Sequence, residues 1–249
     1  MTDITELPVI ATIATLARRE DSFRQMLPTI LGQVHHTFIA LGGYPEVPGF
    51  LRDLERVTVF LCESGPDLGA SSRFLCLERL SQLAVVLVVD DDILYPPDYA
   101  ARMVHGLGRF SGQALLGVHG RVFLPPHASY SEHAFSHHFQ AALEGASYVH
   151  EVGVGTCAFL SDRLAVDPRG WDRYDMDDIV MAIEAEKRGL PRIAIDRGKN
   201  WLRPLAEDQE DSLFRRMRAD DSEQSRRMRL LLSLYRAGQD TRQDIGPVG

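Results

Sequence analysis

A run of seven apolar residues, Leu83 to Val89, most constrains what this chain can fold into, because four of the seven are valine and none is polar. Such a run is typical of a strand that is buried on both faces, as in a parallel sheet covered by helices. Three carboxylates, Asp90, Asp91 and Asp92, follow it at once. Ligands of open α/β sheets bind beyond the carboxyl ends of the strands. The sequence therefore predicts a central strand whose end presents three acids at a ligand-binding edge.

Three adjacent carboxylates need a positive partner if they are to lie close together. Mg²⁺ and Mn²⁺ prefer oxygen ligands, and Mg²⁺ is usually bound by one or two carboxylates together with substrate phosphates. We therefore interpret the triplet as a metal–diphosphate site. A solvated acidic turn is the alternative, because aspartate is common in turns. Pro96 and Pro97 follow closely and restrict the backbone of the loop that carries the acids.

Composition narrows the class of protein. A chain of 249 residues can build one large α/β domain or two small ones. Its net charge of −8 argues against nucleic-acid binding, although a metal could supply the positive charge that a nucleotide needs. Three cysteines without metal-ligand spacing fit small core residues of a reduced protein. Because no run of about 18 apolar residues and no signal peptide is recognisable, we expect a cytoplasmic protein without a transmembrane segment.

Apolar runs alternate with amphipathic segments along the chain, which predicts an α/β fold with a mostly parallel central sheet flanked by helices. The predicted strands span residues 8–13, 37–41, 57–62, 83–89, 114–118 and 192–196, with an extended, glycine-punctuated segment over 149–160. The predicted helices span residues 21–30, 73–83, 99–110 and 177–188. No change of composition marks a boundary, so we expect a single domain over 1–207 and a C-terminal helical extension and tail over 208–249.

Two further groups of polar residues are expected near the acidic triplet. Asp177 and Asp178 open the helix 177–188, and because neighbouring helical residues point about 100° apart, one can cap the helix while the other faces a cleft. Simple capping by Asp177 is the alternative. The segment from Thr15 to Arg19 follows the first strand, and its hydroxyl and guanidinium groups suit phosphate oxygens. A solvated basic turn is the alternative for Arg18 or Arg19.

Other catalytic signatures are absent from the sequence. It contains no Walker A motif, no GxGxxG after the first strand and no GxSxG elbow, which disfavours an ATPase, a dinucleotide enzyme and an α/β-hydrolase. His133, His137 and His138 form a cluster that could bind a metal through the pair spaced by four residues. A partly exposed polar face is the other interpretation of this cluster.

Taken together, these motifs resemble nucleotide-sugar glycosyltransferases of the GT-A fold, and they are most similar to glycosyltransferase family 2-like proteins of the surface and capsular polysaccharide type. The resemblance covers roughly Pro8 to Leu205 and is carried mainly by the stretch from Val89 to Tyr99, in which a Tyr-Pro-Pro sequence follows the acidic triplet. Three shorter stretches share it: Gly117 to Gly120, Gly153 to Thr156 and Asn200 to Leu202.

The resemblance implies that a sugar moves from a nucleoside-diphosphate donor, expected to be a UDP-sugar, to a hydroxyl of a carbohydrate or other acceptor, with inversion. It assigns Asp178 as the base that activates the acceptor, with Asp177 as its partner in the acidic pair. Asp92 would bind Mn²⁺ or Mg²⁺, and Asp90 would assist it while also touching the ribose or the sugar. The donor-binding residues that the resemblance implies are Thr15, Arg18, Arg73, Asp90, Asp91 and Lys199.

The chain departs from the pattern of that family in three places. Its first loop lacks the common Pro-Thr-Tyr-Asn form, and its acidic pair is Asp-Asp where the family has Glu-Asp. After the last predicted strand, the segment from Arg197 to Asn200 contains no histidine for the metal, so the third ligand stays open and Lys199 is a candidate for direct contact with the diphosphate. A non-catalytic sugar-nucleotide-binding homologue or partner subunit is therefore one alternative. A metal-dependent phosphohydrolase, with Asp196 as an additional acid, is another.

The C-terminal extension is rich in arginine and has an apolar side. We expect it to be an accessory helix that packs on its own domain and lies outside the catalytic core. Its cationic side leaves two alternatives open, namely a subunit contact in a homo-oligomer and peripheral attachment to an anionic inner-membrane surface.

Overall fold

The computed structural model describes residues 3–62, 68–127, 129–132, 134–164, 166–172, 174–205 and 220–243. The strands within these ranges are, in chain order, β1 (Val9–Leu16), β2 (His36–Gly42), β3 (Val57–Leu61), β4 (Val85–Val89), β5 (Ile93–Leu94), β6 (Leu115–Gly117), β7 (Gly120–Phe123), β8 (Ala134–His137), β9 (Ser147–Tyr148), β10 (Glu151–Val152), β11 (Thr156–Leu160), β12 (Arg192–Ala194) and β13 (Arg203–Pro204).

Eight of these strands form one central sheet in the order β3-β2-β1-β4-β11-β6-β12-β9. β1, β2, β3 and β4 pair in parallel, as do β6 and β12. β11 runs antiparallel to both of its neighbours, and β9 is antiparallel to β12. Two small antiparallel sheets, β10-β7-β8 and β13-β5, complete the strands described. The predicted α/β fold with a large, mostly parallel sheet is thus confirmed.

Helices cover both faces of the central sheet. The α-helices described are α1 (Glu20–Leu31), α2 (Gly49–Arg52), α3 (Tyr99–Arg109), α4 (Asp177–Lys187) and α5 (Ser222–Gln243). Alternate residues of β4 belong to two different apolar clusters. Val85, Leu87 and Val89 join the cluster built on α1 and α3, whereas Val86 and Val88 join the cluster that includes residues of α4. β4 is therefore buried on both faces, as its sequence predicts.

Gly69–Arg79 forms a 3₁₀-helix, and the chain then runs without a helix to β4. The predicted α-helix over residues 73–83 is therefore wrong. Local side chains occupy its carbonyl groups: Ser72 Oγ donates to the Gly69 oxygen at 2.8 Å, and Arg73 Nε donates to the Ala70 oxygen at 2.8 Å. Thr12 Oγ1, from β1, donates to the Arg73 oxygen. These bonds compete with the i→i+4 pattern and favour the tighter turn.

The first predicted loop is shorter than expected because β1 continues through Leu16, so that Thr15 lies in the strand. A 3₁₀ turn over Ala17–Arg19 leads directly into α1, and no side chain caps α1. α1 thus begins at Glu20, one residue before the predicted start, and Ser22 Oγ donates to the Arg19 carbonyl.

Smaller differences concern the last strand and the cysteines. β12 ends at Ala194, two residues earlier than predicted. Cys76 and Cys157 are buried as expected, but Cys62 is exposed just after β3.

α5 packs against α4 through Met228, Leu231 and Leu232, which share an apolar cluster with Ile179 and Ile183. The described part of the C-terminal helix thus lies on its own domain. The preceding part of the predicted extension, residues 208–219, lies outside the described residues. Within the ranges that the structure describes, no helix is both long enough and apolar enough to cross a bilayer.

Candidate functional site at the carboxyl ends of β1 and β4

The register of the sheet brings the first loop to the acidic triplet. Ile13 pairs with Val89 between β1 and β4, so the residues that follow both strands meet at one edge. Two residues after Ile13 and two residues after Val89, Thr15 Oγ1 donates a hydrogen bond to Asp91 Oδ2 at 2.7 Å. Asp91 is 4% exposed. It is therefore a structural member of the triplet, bound to β1 by a buried hydroxyl.

Arg19 is the cation that meets the other end of the triplet. Its Nη2 lies 2.9 Å from Asp91 Oδ1 and 2.5 Å from Asp92 Oδ2. Burial and the charge of Asp90 raise the pKa of Asp92 to about 6, although the Arg19 guanidinium acts in the opposite direction. The two outer acids of the triplet thus repel one another, and Arg19 relieves only part of that repulsion.

Arg73 joins the triplet to the second acidic pair. Its Nη1 donates to Asp90 Oδ1 at 2.8 Å, and its Nη2 lies 3.2 Å from Asp177 Oδ2. The guanidinium is buried, and although burial alone lowers the pKa of Arg73, the carboxylates of Asp177 and Asp90 raise it on balance. Arg73 therefore carries a permanent positive charge between the two groups of acids.

The two acids that open α4 divide their roles, although neither caps the helix. Met176 is the N-cap residue and no side chain bonds there, so the expected cap is absent. Asp177 is buried against Arg73, whereas Asp178 is half-buried and its Oδ1 accepts a hydrogen bond from the Val154 amide at 2.7 Å. Burial and the carboxylates of Asp177 and Glu151 raise the pKa of Asp178 well above its usual range. Asp178 is thus a carboxylate with a raised pKa in the first turn of α4.

A tyrosine and a glycine fix the position of Asp90. Tyr95, from the Tyr-Pro-Pro sequence, accepts a hydrogen bond from the Asp90 amide at 2.8 Å and donates to the Gly155 carbonyl at 2.6 Å. Its ring contacts that of Tyr99, with 4.6 Å between centroids. Gly155 faces Asp90 across the β4–β11 pair, and a Cβ atom built on it would lie 1.8 Å from Asp90 Oδ2. Only glycine leaves room for the Asp90 carboxylate here.

Two of the predicted donor-binding residues, Arg18 and Lys199, are exposed. Arg18 lies in the turn before α1, and Lys199 lies in the turn before β13. The segment of Lys199 nevertheless returns to the triplet, because β13 pairs with β5 and the Leu205 amide donates to the Asp92 carbonyl at 2.7 Å. Within the described part of the chain, the side chains of Thr15, Arg19 and Arg73 contact the carboxylates of the triplet.

The donor set fits a divalent cation in type. Asp90 and Asp92 supply carboxylate oxygens, which are the ligands that Mg²⁺ and Mn²⁺ prefer. A divalent cation bound there would reduce the repulsion between the two negative charges. Within the part of the chain that the structure describes, no group of three or more His, Cys, Asp or Glu side chains is arranged to hold a metal. Two carboxylates fit a site in which the remaining ligands are phosphate oxygens and water.

The histidine cluster is placed differently from the acidic cluster. His119 is next to His138, with 5.5 Å between ring centroids, and burial with nearby positive charge lowers the pKa of His119 to about 3. The carbonyls of His137 and His138 accept hydrogen bonds from the Arg197 guanidinium at 3.0 and 2.8 Å. His133 lies outside the described residues. His119, His137 and His138 therefore form a packed group next to Arg197.

Sequence reasoning missed the roles of three residues: Arg19, Tyr130 and Glu151. The sequence suggests Arg18 and Arg19 equally for the phosphate-binding turn, and the resemblance selects Arg18. Their spacing in the sequence gives no indication of which one turns inward. Glu151 is buried with a pKa raised to about 7 by burial, and Tyr130 Oη donates to its Oε1 at 2.5 Å. A lone acid between Val149 and Val152 in an apolar stretch was the only available signal for it.

In the comparisons with known proteins, no protein-family model matches this chain and no curated protein shows significant similarity to it.

Replacing Gly155 by alanine tests the packing around Asp90. We expect Gly155→Ala to displace the Asp90 carboxylate and to lower the free energy of unfolding by about 1–3 kcal/mol, the usual cost of overpacking a core. Gly108→Ala is the matched control, because nothing lies within 4 Å of a Cβ there and alanine favours a helix. Urea unfolding of both variants measures the effect. Equal stability of the Gly155→Ala variant and the wild type would contradict the prediction.

Proposed function

We propose that this protein is a metal-dependent glycosyltransferase that moves a sugar from a nucleoside-diphosphate donor, most simply a UDP-sugar, to a hydroxyl acceptor. One observation carries the proposal: the acidic triplet, Arg73 and the basic carboxylate Asp178 meet at the carboxyl edge of a mostly parallel sheet. Cation-binding, phosphate-binding and proton-accepting groups at one such edge suit the transfer of a sugar from a diphosphate. A GT-A arrangement of the sheet and a cytoplasmic location are parts of this proposal.

The donor side is built from the triplet and its partners. Asp92, assisted by Asp90, would hold Mn²⁺ or Mg²⁺, and the bound ion would stabilise the negative charge of the departing nucleoside diphosphate. The Thr15 hydroxyl donates a hydrogen bond to Asp91, and Asp91 forms an ion pair with Arg19. Arg73 keeps Asp90 in place through its charged hydrogen bond. Arg19 is well placed to exchange its contact with Asp92 for a phosphate oxygen, since guanidinium groups bind phosphates readily.

The acceptor side is built from α4. The acceptor hydroxyl must lose its proton as it attacks the anomeric carbon, and Asp178 is the candidate base. The Val154 amide holds one of its oxygens, and a raised pKa makes a carboxylate a better proton acceptor near neutral pH. Attack from the face opposite the leaving group gives inversion.

A sugar-nucleotide binder without activity is the second candidate, and the contact of Arg19 with Asp92 favours it. A guanidinium that neutralises the metal-binding acid could replace the ion altogether. Mass spectrometry of a panel of nucleotide sugars with Mn²⁺ and acceptors separates the candidates. A glycosylated product supports transfer, donor binding without product indicates a binder, and release of inorganic phosphate indicates a hydrolase.

The metal-binding role of Asp92 has its own test. Asp92→Asn keeps the shape of the side chain and removes its charge, so metal-dependent donor binding should become undetectable by calorimetry. Because burial raises the pKa of Asp92, the melting temperature should stay the same or increase. Asp162→Asn, at the exposed contact with Arg163, serves as the control and should leave metal affinity unchanged. Unaltered metal affinity in Asp92→Asn would overturn the assignment.

A further inference from the structure

Glu151 is a buried acid that the proposed reaction does not use. It lies in β10 and is 4% exposed, its Oε1 is bound by the Tyr130 hydroxyl, and its Oε2 has no hydrogen-bond partner. Burying a carboxyl group costs free energy unless it is fully satisfied. Glu151 therefore carries a desolvation cost that a neutral side chain of similar size would avoid.

A short backbone segment connects Glu151 to the amide that binds Asp178. Val154 lies three positions after Glu151, and its amide donates to Asp178 Oδ1 at 2.7 Å. The intervening Gly153 amide donates to the His119 carbonyl at 3.0 Å, and β10 pairs with β7 through Glu151. A Cβ at Gly153 would lie 2.9 Å from the His119 side chain, so this turn is closely packed. These contacts therefore fix the position of Glu151 relative to the Val154 amide that binds Asp178.

The other side of Glu151 is tied to the C-terminal helix. The Tyr130 amide donates to Ser225 Oγ of α5 at 2.8 Å, and the Ser131 amide donates to Asp221 Oδ2 at 2.7 Å. The Tyr130 ring also packs in the apolar cluster that α5 shares with α4. A hydrogen-bonded series thus runs from α5 through Tyr130 to Glu151.

We propose that Glu151 is a positioning residue for Asp178, held in place by Tyr130 and by the C-terminal helix, and that the helix is therefore part of the acceptor side of the site. This inference rests on the proposed function. It differs from the sequence-based expectation that the helix lies outside the catalytic core. Among the described residues, the charged and titratable groups that act on Asp178 or Glu151 include Asp90, Asp177, Arg73, Arg121, Tyr130 and Cys157.

The test compares the pH profile of kcat/KM for sugar transfer in Glu151→Gln, Tyr130→Phe and the wild type. Removing the carboxylate next to Asp178 lowers the pKa of the base, so the acidic limb should move to lower pH by about one unit in Glu151→Gln. Tyr130→Phe leaves Glu151 less able to ionise, so the limb should move the same way by a smaller amount. Donor affinity measured by calorimetry should stay unchanged in both variants.

Glu186→Gln is the matched control, because Glu186 is a half-buried acid of α4 whose Oε2 lies 2.5 Å from Arg192 Nη2. It should cost stability and leave the pH profile unmoved. Titration of the Asp178 carboxyl by carbon-13 NMR provides a readout without turnover, so a failure of the proposed function is distinguishable from a failure of this inference. A shift of the Asp178 titration in Glu151→Gln supports the inference even where no transfer is detected. An unshifted titration in that variant overturns it.

Discussion

Asp178→Asn should bind the donor and the metal like the wild type and lose about 100- to 10,000-fold in kcat, the usual contribution of a general base. The reason is that the lost interaction belongs to the transition state, so kcat and kcat/KM should fall together. Because burial and two neighbouring acids raise the pKa of Asp178, the uncharged asparagine should leave the melting temperature unchanged or higher. Stopped assays of transfer and calorimetry of donor binding measure both effects.

The pH dependence has a definite sign. The base acts when it is deprotonated, so the wild-type rate should rise with pH through the raised pKa of Asp178, and the residual rate of Asp178→Asn should lack that rise. Asp177→Asn is the comparison variant, because Asp177 is paired with Arg73 and should affect stability more than chemistry. A greater loss of activity in Asp177→Asn than in Asp178→Asn at equal stability would reverse the two roles.

The fold could be predicted where the sequence pattern depends on burial alone. The apolar run before the triplet predicts β4 because both of its faces are covered, and the structure differs only in starting the strand at Val85. The 3₁₀-helix before it could not be predicted, because its geometry depends on the Thr12 hydroxyl of β1, which is 61 residues away from Arg73. The sequence gives no periodic signal for such a long-range contact.

The candidate site, like the fold, could be predicted from the sequence only in part. Thr15 and Asp91 could be expected to meet because both follow parallel neighbouring strands, and the structure joins them by a hydrogen bond. The choice of Arg19 over Arg18 depends on which residue of one tight turn faces inward, which composition does not encode. Glu151 opens β10, a strand of two residues, which is too short to show a hydrophobic period that could identify a buried acid.

The buried position of Arg73 gives the largest expected effect on stability. Its guanidinium forms ion pairs with both Asp90 and Asp177, and its side chain is 7% exposed. Removing one partner from a buried ion pair leaves an uncompensated charge and typically costs about 3–5 kcal/mol. Arg73→Met keeps the length of the aliphatic part of the side chain and removes the guanidinium charge, so urea unfolding at pH 8 should show a loss of about this size together with loss of donor binding.

Arg169→Met is the control, because Arg169 also contacts two acids, Glu78 and Asp167, but is half exposed. Exposed ion pairs contribute little to stability, so this variant should unfold nearly like the wild type.

The Arg73→Met variant should also change how stability depends on pH. Without the guanidinium, the pKa of Asp177 rises further above its unfolded-state value, so the folded variant holds a proton that the unfolded chain releases. Its stability then falls as pH increases, and the deficit at pH 5 should be smaller than at pH 8. The double variant Arg73→Met/Asp177→Asn removes one of the two uncompensated charges and should recover part of the loss. A double variant no more stable than Arg73→Met at pH 8 would show that the guanidinium stabilises the fold through packing and not through the charge of Asp177.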